Sequence, residues 1–220
     1  MSTETRAMPT AEAVAEVIRS AIVSGDLRGG AAVTEKWASE KFSISRLTVR
    51  EVLQSLIAEG FLTRRPYHSA QVREFSEAEM RDILDARELL EGFAATRSVN
   101  ASEKNRQRLR DALKAYLLAM DNNDRAEASR SHQALHVAIV GMSGNERLMR
   151  QEEQLMIDSS MMVAVIDARR NDVEKMKRVH TQLVDAFLDG NQQLAAQLVR
   201  EHLHMVDQAA VEELVETDMG

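Results

Sequence analysis

The chain has 220 residues, 44% hydrophobic and 29% charged, which fits one large folded domain or two modest ones. It has no cysteine, which excludes a disulfide framework, a cysteine-based zinc finger and a thiol nucleophile. Net charge is −7, but residues 1–75 carry +1 and residues 76–220 carry −8, so any nucleic-acid contact must rest on a few well-placed cations. The apolar runs are too short to cross a bilayer and the N-terminus has no secretory pattern, so no membrane partner and a cytoplasmic location are expected.

Helix formers dominate and only two prolines occur, so the expected fold is mainly α. Residues 10–24 predict a first helix, with Thr10 as N-cap, an apolar stripe of Val14, Val17, Ile18, Ala21 and Ile22, and Gly25 at its end. A turn at 26–30 leads to a short second helix over 34–41, with Trp37 and Ala38 inward. Ser43 and Ser45 lie in the turn before a third helix that runs to about Glu59, with Gly60 placed to end it. Residues 61–65 and 70–73 predict two short strands around a turn at 66–69. Three helices and a small hairpin are the order of a winged helix-turn-helix.

The third helix carries the clearest functional signal. Ser45 can cap it, and Arg46 and Arg50 leave one face, four residues apart. Val49, Val52, Leu53 and Leu56 cover the other face. Arginine forks suit guanine edges and phosphates. The boundary between two domains, 1–75 and 76–220, falls at Glu74-Phe75-Ser76. From there only helices are expected, at 77–99, 102–121, 124–142, 146–169, 172–189 and 191–216, an ordinary helical bundle.

Four of the six histidines fall on apolar helical faces of that bundle. His132 and His136 are one turn apart, while His180 and His202 lie on separate helices. Spacing leaves two readings open: one shared metal site, since imidazole suits Zn, Ni, Cu and Fe, or independently buried histidines with backbone partners. No carboxylate shares those apolar faces. His204 should face water, and His68 lies in the wing. Arg87, one turn before Glu91, is either half of a surface ion pair or a fork for an anion's carboxylate. Met149, Met156, Met161 and Met162 read as core or as the lining of an adaptable pocket.

As a whole the pattern resembles a GntR-family transcription regulator of the FadR type with an FCD effector domain, over residues 10–216. In the first domain the likeness rests on Ile18 to Ile22, Ser24-Gly25-Asp26-Leu27, Glu35 to Ala38, Ser45-Arg46, Val49-Arg50-Glu51 and Leu56 to Leu62. In the second it rests on Arg87-Glu88-Leu89-Leu90-Glu91, His136, Ser143-Gly144-Asn145, His180 and His202. The six-helix bundle is similar to the VanR-like branch. The resemblance implies a homodimer on a palindromic operator, commonly as a repressor, with Lys36, Ser45, Arg46, Thr48 and Arg50 at the DNA. It implies a small carboxylic acid as effector, met by Arg87 and Asn145, and a divalent metal held by an Asp and three histidines. The Asp position here is His132, which gives the set His132, His136, His180 and His202. Four neutral imidazoles leave the occupied site at +2, which favours Zn or Ni over Mn or Ca. Gly29 stands where the family has proline, and the wing tip lacks the usual glycine. A purely metal-responsive regulator is one alternative. A histidine-ligated metal hydrolase is another, disfavoured by the absence of HExxH.

Overall fold

The computed structural model describes residues 10–170 and 172–218, with side chains at 10–162 and 172–208. The described residues fall into two compact units, divided between Glu74 and Phe75.

The first unit packs α1 (Ala11–Val23) and α2 (Glu35–Phe42) against α3 (Arg46–Ala58). Each helix begins at the hydroxyl residue that starts its apolar stripe. The side chains of Thr10, Thr34 and Ser45 accept from the backbone N–H groups of Ala13, Trp37 and Thr48. The inner stripes of α1 and α3 meet in a core that includes Val14, Ile18, Val49, Leu53 and Leu56. Gly60 ends α3 with φ +90°. Around it the Gly60 N–H donates to the Ile57 carbonyl at 3.1 Å and the Phe61 N–H to the Leu56 carbonyl at 3.0 Å, a Schellman termination.

The expected hairpin is one part of a three-stranded antiparallel sheet. Its order is β1 (Ala32–Val33), β3 (Ala70–Val72), β2 (Leu62–Thr63). The additional strand is only two residues long and follows a glycine turn, so it carries no readable alternation. Arg64 and Arg65, included in the predicted strand, fall beyond the end of β2, and Arg65 opens the turn. There the His68 N–H donates to the Arg65 carbonyl at 3.1 Å across Pro66 and Tyr67. Proline second and a positive φ third is the pattern of a type II turn. Tyr67 takes the positive φ, +66°, where glycine is the usual choice, and its side chain is fully exposed.

The second unit holds α4 (Glu77–Arg97), α5 (Glu103–Asp121), α6 (Arg125–Gly141), α7 (Glu146–Arg170), α8 (Val173–Leu188) and α9 (Gln192–Asp218). A single 3-10 turn, Ser98–Asn100, follows α4 where the predicted helix ran on to 99. Ser76 and Glu79 form a reciprocal capping box at the start of α4. α4 packs against α6, α7 and α9, and α5 against α6 and α8, so the inner faces of the helices surround one buried interior. The four methionines of α7, at 149, 156, 161 and 162, are buried there, as core.

Candidate metal centre and nucleic-acid interface

The inward stripes of α6, α8 and α9 bring four imidazoles to one place. The candidate ligand nitrogens of His132, His136, His180 and His202 all lie within 4.8 Å of one another. The His132 and His180 Nε2 atoms are 3.0 Å apart, and those of His136 and His132 are 3.2 Å apart. Nitrogens sharing one tetrahedral zinc would stand about 3.3 Å apart, given Zn–N bonds of about 2.0–2.1 Å. His136, His180 and His202 are buried, and His132 keeps a partial edge to solvent. Tyr116 of α5 packs its ring, tilted, against His132 and His180, at 5.6 and 4.8 Å between ring centres.

Burial is the main force on these rings, and it disfavours charge. The pKa values of His132, His136 and His202 lie well below the ordinary 6.5, and that of His180 is pushed down to about 4. Neighbouring imidazoles and the Arg87 guanidinium push the first three further the same way. Neutral imidazole is the metal-binding form. Two observations test the fit. The His180 Nδ1–H donates to the Met176 carbonyl at 2.8 Å, which leaves its Nε2 lone pair turned to the cluster. Both ring nitrogens of His202 are buried with no hydrogen-bond partner. A buried imidazole with neither nitrogen satisfied is costly, and a divalent ion would take up the lone pair of one of them. The residues fit a metal, with all four donors being nitrogen.

Beside the imidazoles lies a charged network that spacing did not reveal. Arg87 of α4 is fully buried. Its guanidinium donates to Glu91 at 2.8 and 3.1 Å, to Glu152 at 3.3 Å and to the Ser159 hydroxyl at 3.3 Å. Its Nη2 also lies 2.9 Å from His136 Nδ1, and Glu91 Oε2 lies 3.1 Å from the same nitrogen. Burial alone would lower the Arg87 pKa, but the two carboxylates outweigh it and hold the charge. Glu152 is pushed up to about 8 by burial first and by Glu91 next, against the pull of Arg87. Arg87 is therefore neither a surface partner nor a free fork.

The expectation that carboxylates stay away from the histidines is corrected here. It held along each histidine's own helix, but Glu91 reaches His136 from α4. Glu152 shares a stripe with Met149 and Met156 at spacings of three and four residues. An acid on an apolar stripe is the sequence signal for this buried carboxyl. Asn145 does not belong with this group. It is exposed and caps α7, its Oδ1 accepting from the backbone N–H groups of Arg147 at 3.0 Å and Leu148 at 3.3 Å. Its sequence position beside a helix start explains this cap.

In the first unit the residues expected at DNA share one end of α2 and α3. Lys36, Ser45, Arg46 and Arg50 are exposed and Thr48 is half-buried. The Ser45 and Thr48 hydroxyls are 2.9 Å apart, and Ser45 caps the helix. Arg50 Nε donates to Glu35 Oε1 at 3.0 Å, and Arg64 lies 4.0 Å from the same oxygen. Leu47, beside Arg46, is 70% exposed and offers an apolar contact among the cations.

Comparison with known proteins gives both units a family. Residues 10–72 match the gntR family of bacterial regulatory proteins, and residues 82–205 match the FCD domain. A probable D-xylose utilization operon transcriptional repressor of Paenarthrobacter nicotinovorans is 25% identical over 193 residues, covering 88% of this chain and 85% of that one. The transcriptional repressor GlaR of Escherichia coli is 28% identical over 198 residues, covering 84% and 89%. Among solved structures, a GntR transcriptional regulator from Rhodococcus sp. RHA1 has a TM-score of 0.76 at 20% identity, covering 92% of this chain and 97% of that one. Escherichia coli McbR/YncC has a TM-score of 0.71 at 18% identity, covering 93% and 98%. At these identities the solved structures speak for the fold.

Proposed function

Because this chain belongs to the gntR family of bacterial regulatory proteins and carries an FCD domain, we propose that it represses a metabolic operon and that a small carboxylic acid, held at a metal in the histidine cluster, sets its operator affinity. The family and its relatives are transcription regulators rather than enzymes, and among the described residues no helix is long and apolar enough to cross a membrane. The observation that carries the effector reading is the convergence of four neutral imidazoles beside a buried arginine.

In this reading His132, His136, His180 and His202 hold a divalent ion, Zn or Ni, which supplies a Lewis-acidic anchor for an anion. Arg87 supports the anion from α4. Because Glu91 and Glu152 already occupy Arg87, an incoming carboxylate has to displace one of them, and α4 feels that exchange directly. α4 starts two residues after Phe75, so it is joined to the DNA-binding unit by a short covalent link. A homodimer places two α3 helices in successive major grooves about 34 Å apart, with Arg46 and Arg50 at bases and phosphates and Lys36, Ser45 and Thr48 nearby. The acid shifts operator binding only by its differential affinity for the two arrangements.

Genomic fragments captured by the purified protein and sequenced test the reading. One or a few enriched sites sharing a palindrome support it, and the adjacent genes name the acids to try. No enrichment with or without metal and candidate acids would refute it. Metal analysis of protein made without a histidine tag should find Zn or Ni, and a site filled with Mn or Ca would contradict the nitrogen-only ligand set. A second reading, that the metal alone is the signal, is favoured by one observation: Arg87 is closed to solvent and fully partnered. Titrating metal without acid against operator release separates the two.

A further inference from the structure

We propose that the single Nδ1 of His136 is a two-position tautomer switch, contested by Arg87 and Glu91, and that Glu91 is the positioning residue that prepares His136 for metal. This rests on the metal reading above. The geometry is a direct competition. Arg87 Nη2, a donor, lies 2.9 Å from Nδ1, and Glu91 Oε2, an acceptor, lies 3.1 Å from it. A neutral imidazole carries one proton, so Nδ1 either accepts from Arg87 or donates to Glu91, never both. When Nδ1 accepts, the proton sits on Nε2, which faces the His132 Nε2 at 3.2 Å and blocks a metal there. When Nδ1 donates to Glu91, Nε2 is a bare lone pair aimed at the other imidazoles.

Ligating histidines are commonly oriented by a carboxylate or carbonyl on their other nitrogen. His180 has such a partner fixed by its own helix, the Met176 carbonyl, which only accepts. His136 is different because a donor and an acceptor share its outer nitrogen. Arg87 and Glu91 are also bonded to each other at 2.8 Å, so the switch needs only a small movement of the guanidinium. An anion that claimed Arg87 would leave Nδ1 to Glu91. Anion binding and metal binding would then strengthen one another, and by linkage the effect is reciprocal.

The test uses the full chain with 15N-labelled histidine, Zn2+ as the only added metal, and chelator competition for affinity. Helical circular dichroism checks the fold of each variant. In metal-free Glu91→Gln, Arg87 should hold His136 as the Nε2–H tautomer, and Zn2+ affinity should fall about 10–100-fold. In metal-free Arg87→Met, His136 should be the Nδ1–H tautomer and bind Zn2+ at least as tightly as wild type. A simple charge effect would change affinity but leave the tautomer alone, so the same tautomer in both variants overturns the proposal. Equal losses of affinity in both overturn it as well. Should Arg87→Met not fold, wild type and Glu91→Gln decide: metal-free wild type should show both tautomers of His136 and Glu91→Gln the Nε2–H tautomer alone, and identical tautomer populations in the two overturn the proposal. Absence of Zn2+ uptake by wild type would overturn the metal reading and this inference together, whereas wild-type uptake without the tautomer difference overturns the inference alone.

Discussion

Mild acid should unfold the metal-free second unit long before the first. Burial holds the four clustered imidazoles neutral, with His132, His136 and His202 well below 6.5 and His180 at about 4. In the unfolded chain all four titrate near their ordinary value of about 6.5. As pH falls through that value the unfolded chain binds protons that the folded chain refuses, so stability drops. Each imidazole contributes a slope of up to about 1.4 kcal/mol per pH unit, and four together up to about 5.5. For His180 the loss ends as pH passes its folded value of about 4.

Glu152 works in the opposite direction. Its folded pKa of about 8 lies above the ordinary 4.5, so the stability it contributes grows as pH falls from 8 to 4.5, by up to about 1.4 kcal/mol per unit. The net loss approaches about 4 kcal/mol per pH unit, against a typical total stability of about 5–15 kcal/mol. Urea unfolding at about pH 7.5, 6.5 and 5.5 after chelation measures it. Circular dichroism follows mainly the helical second unit. Fluorescence of Trp37, the single tryptophan, follows the first unit, whose one histidine, His68, is exposed. The dichroism midpoint should fall steeply while the Trp37 midpoint stays nearly level. A dichroism midpoint that does not move between about pH 7.5 and 5.5 would refute the claim that these imidazoles are buried and neutral.

Three further outcomes are expected. Arg46→Ala and Arg50→Ala should each weaken binding to a captured operator by about 1–3 kcal/mol without changing Tm, because both side chains are exposed; retained affinity in both would mean that α3 is not the reading helix. Gly60→Ala should destabilise the first unit by about 1–2 kcal/mol in Trp37-monitored unfolding. The nearest atom to a new Cβ there is Arg73 Nη1 at 3.9 Å, so the cost is the positive φ alone, and an unchanged midpoint would contradict the Schellman termination. Arg87→Ala should cost about 3–5 kcal/mol of second-unit stability, since it strands the buried Glu91 carboxylate and takes the donor from Glu152 and Ser159; a loss under about 1 kcal/mol would place Arg87 at the surface after all.

Much of this protein was legible in one dimension because the signals are local. Thr10, Ser45 and Ser76 stand next to the helices they start, and Gly60 next to the one it ends, so caps and periodicity located the helices to within a few residues. The same periodicity put His132, His136, His180 and His202 on inward faces. Residues that act through helix spacing, such as Arg46 with Arg50, are legible for the same reason. Strand β1 was not, since two residues carry no period and its partner is almost 40 positions away.

Only the tertiary structure decided which inward residues meet. Arg87 and Glu91 read equally well as a solvent pair, because an i, i+4 spacing says nothing of what packs over it. Glu152 and Ser159 come to them from α7, and His136 from α6, so the network exists only once three helices close together. Desolvation, which lowers the imidazoles and raises Glu152, is likewise a property of that packing. A side chain's face is set by its own helix, but its partners and its charge are set by the helices that cover it.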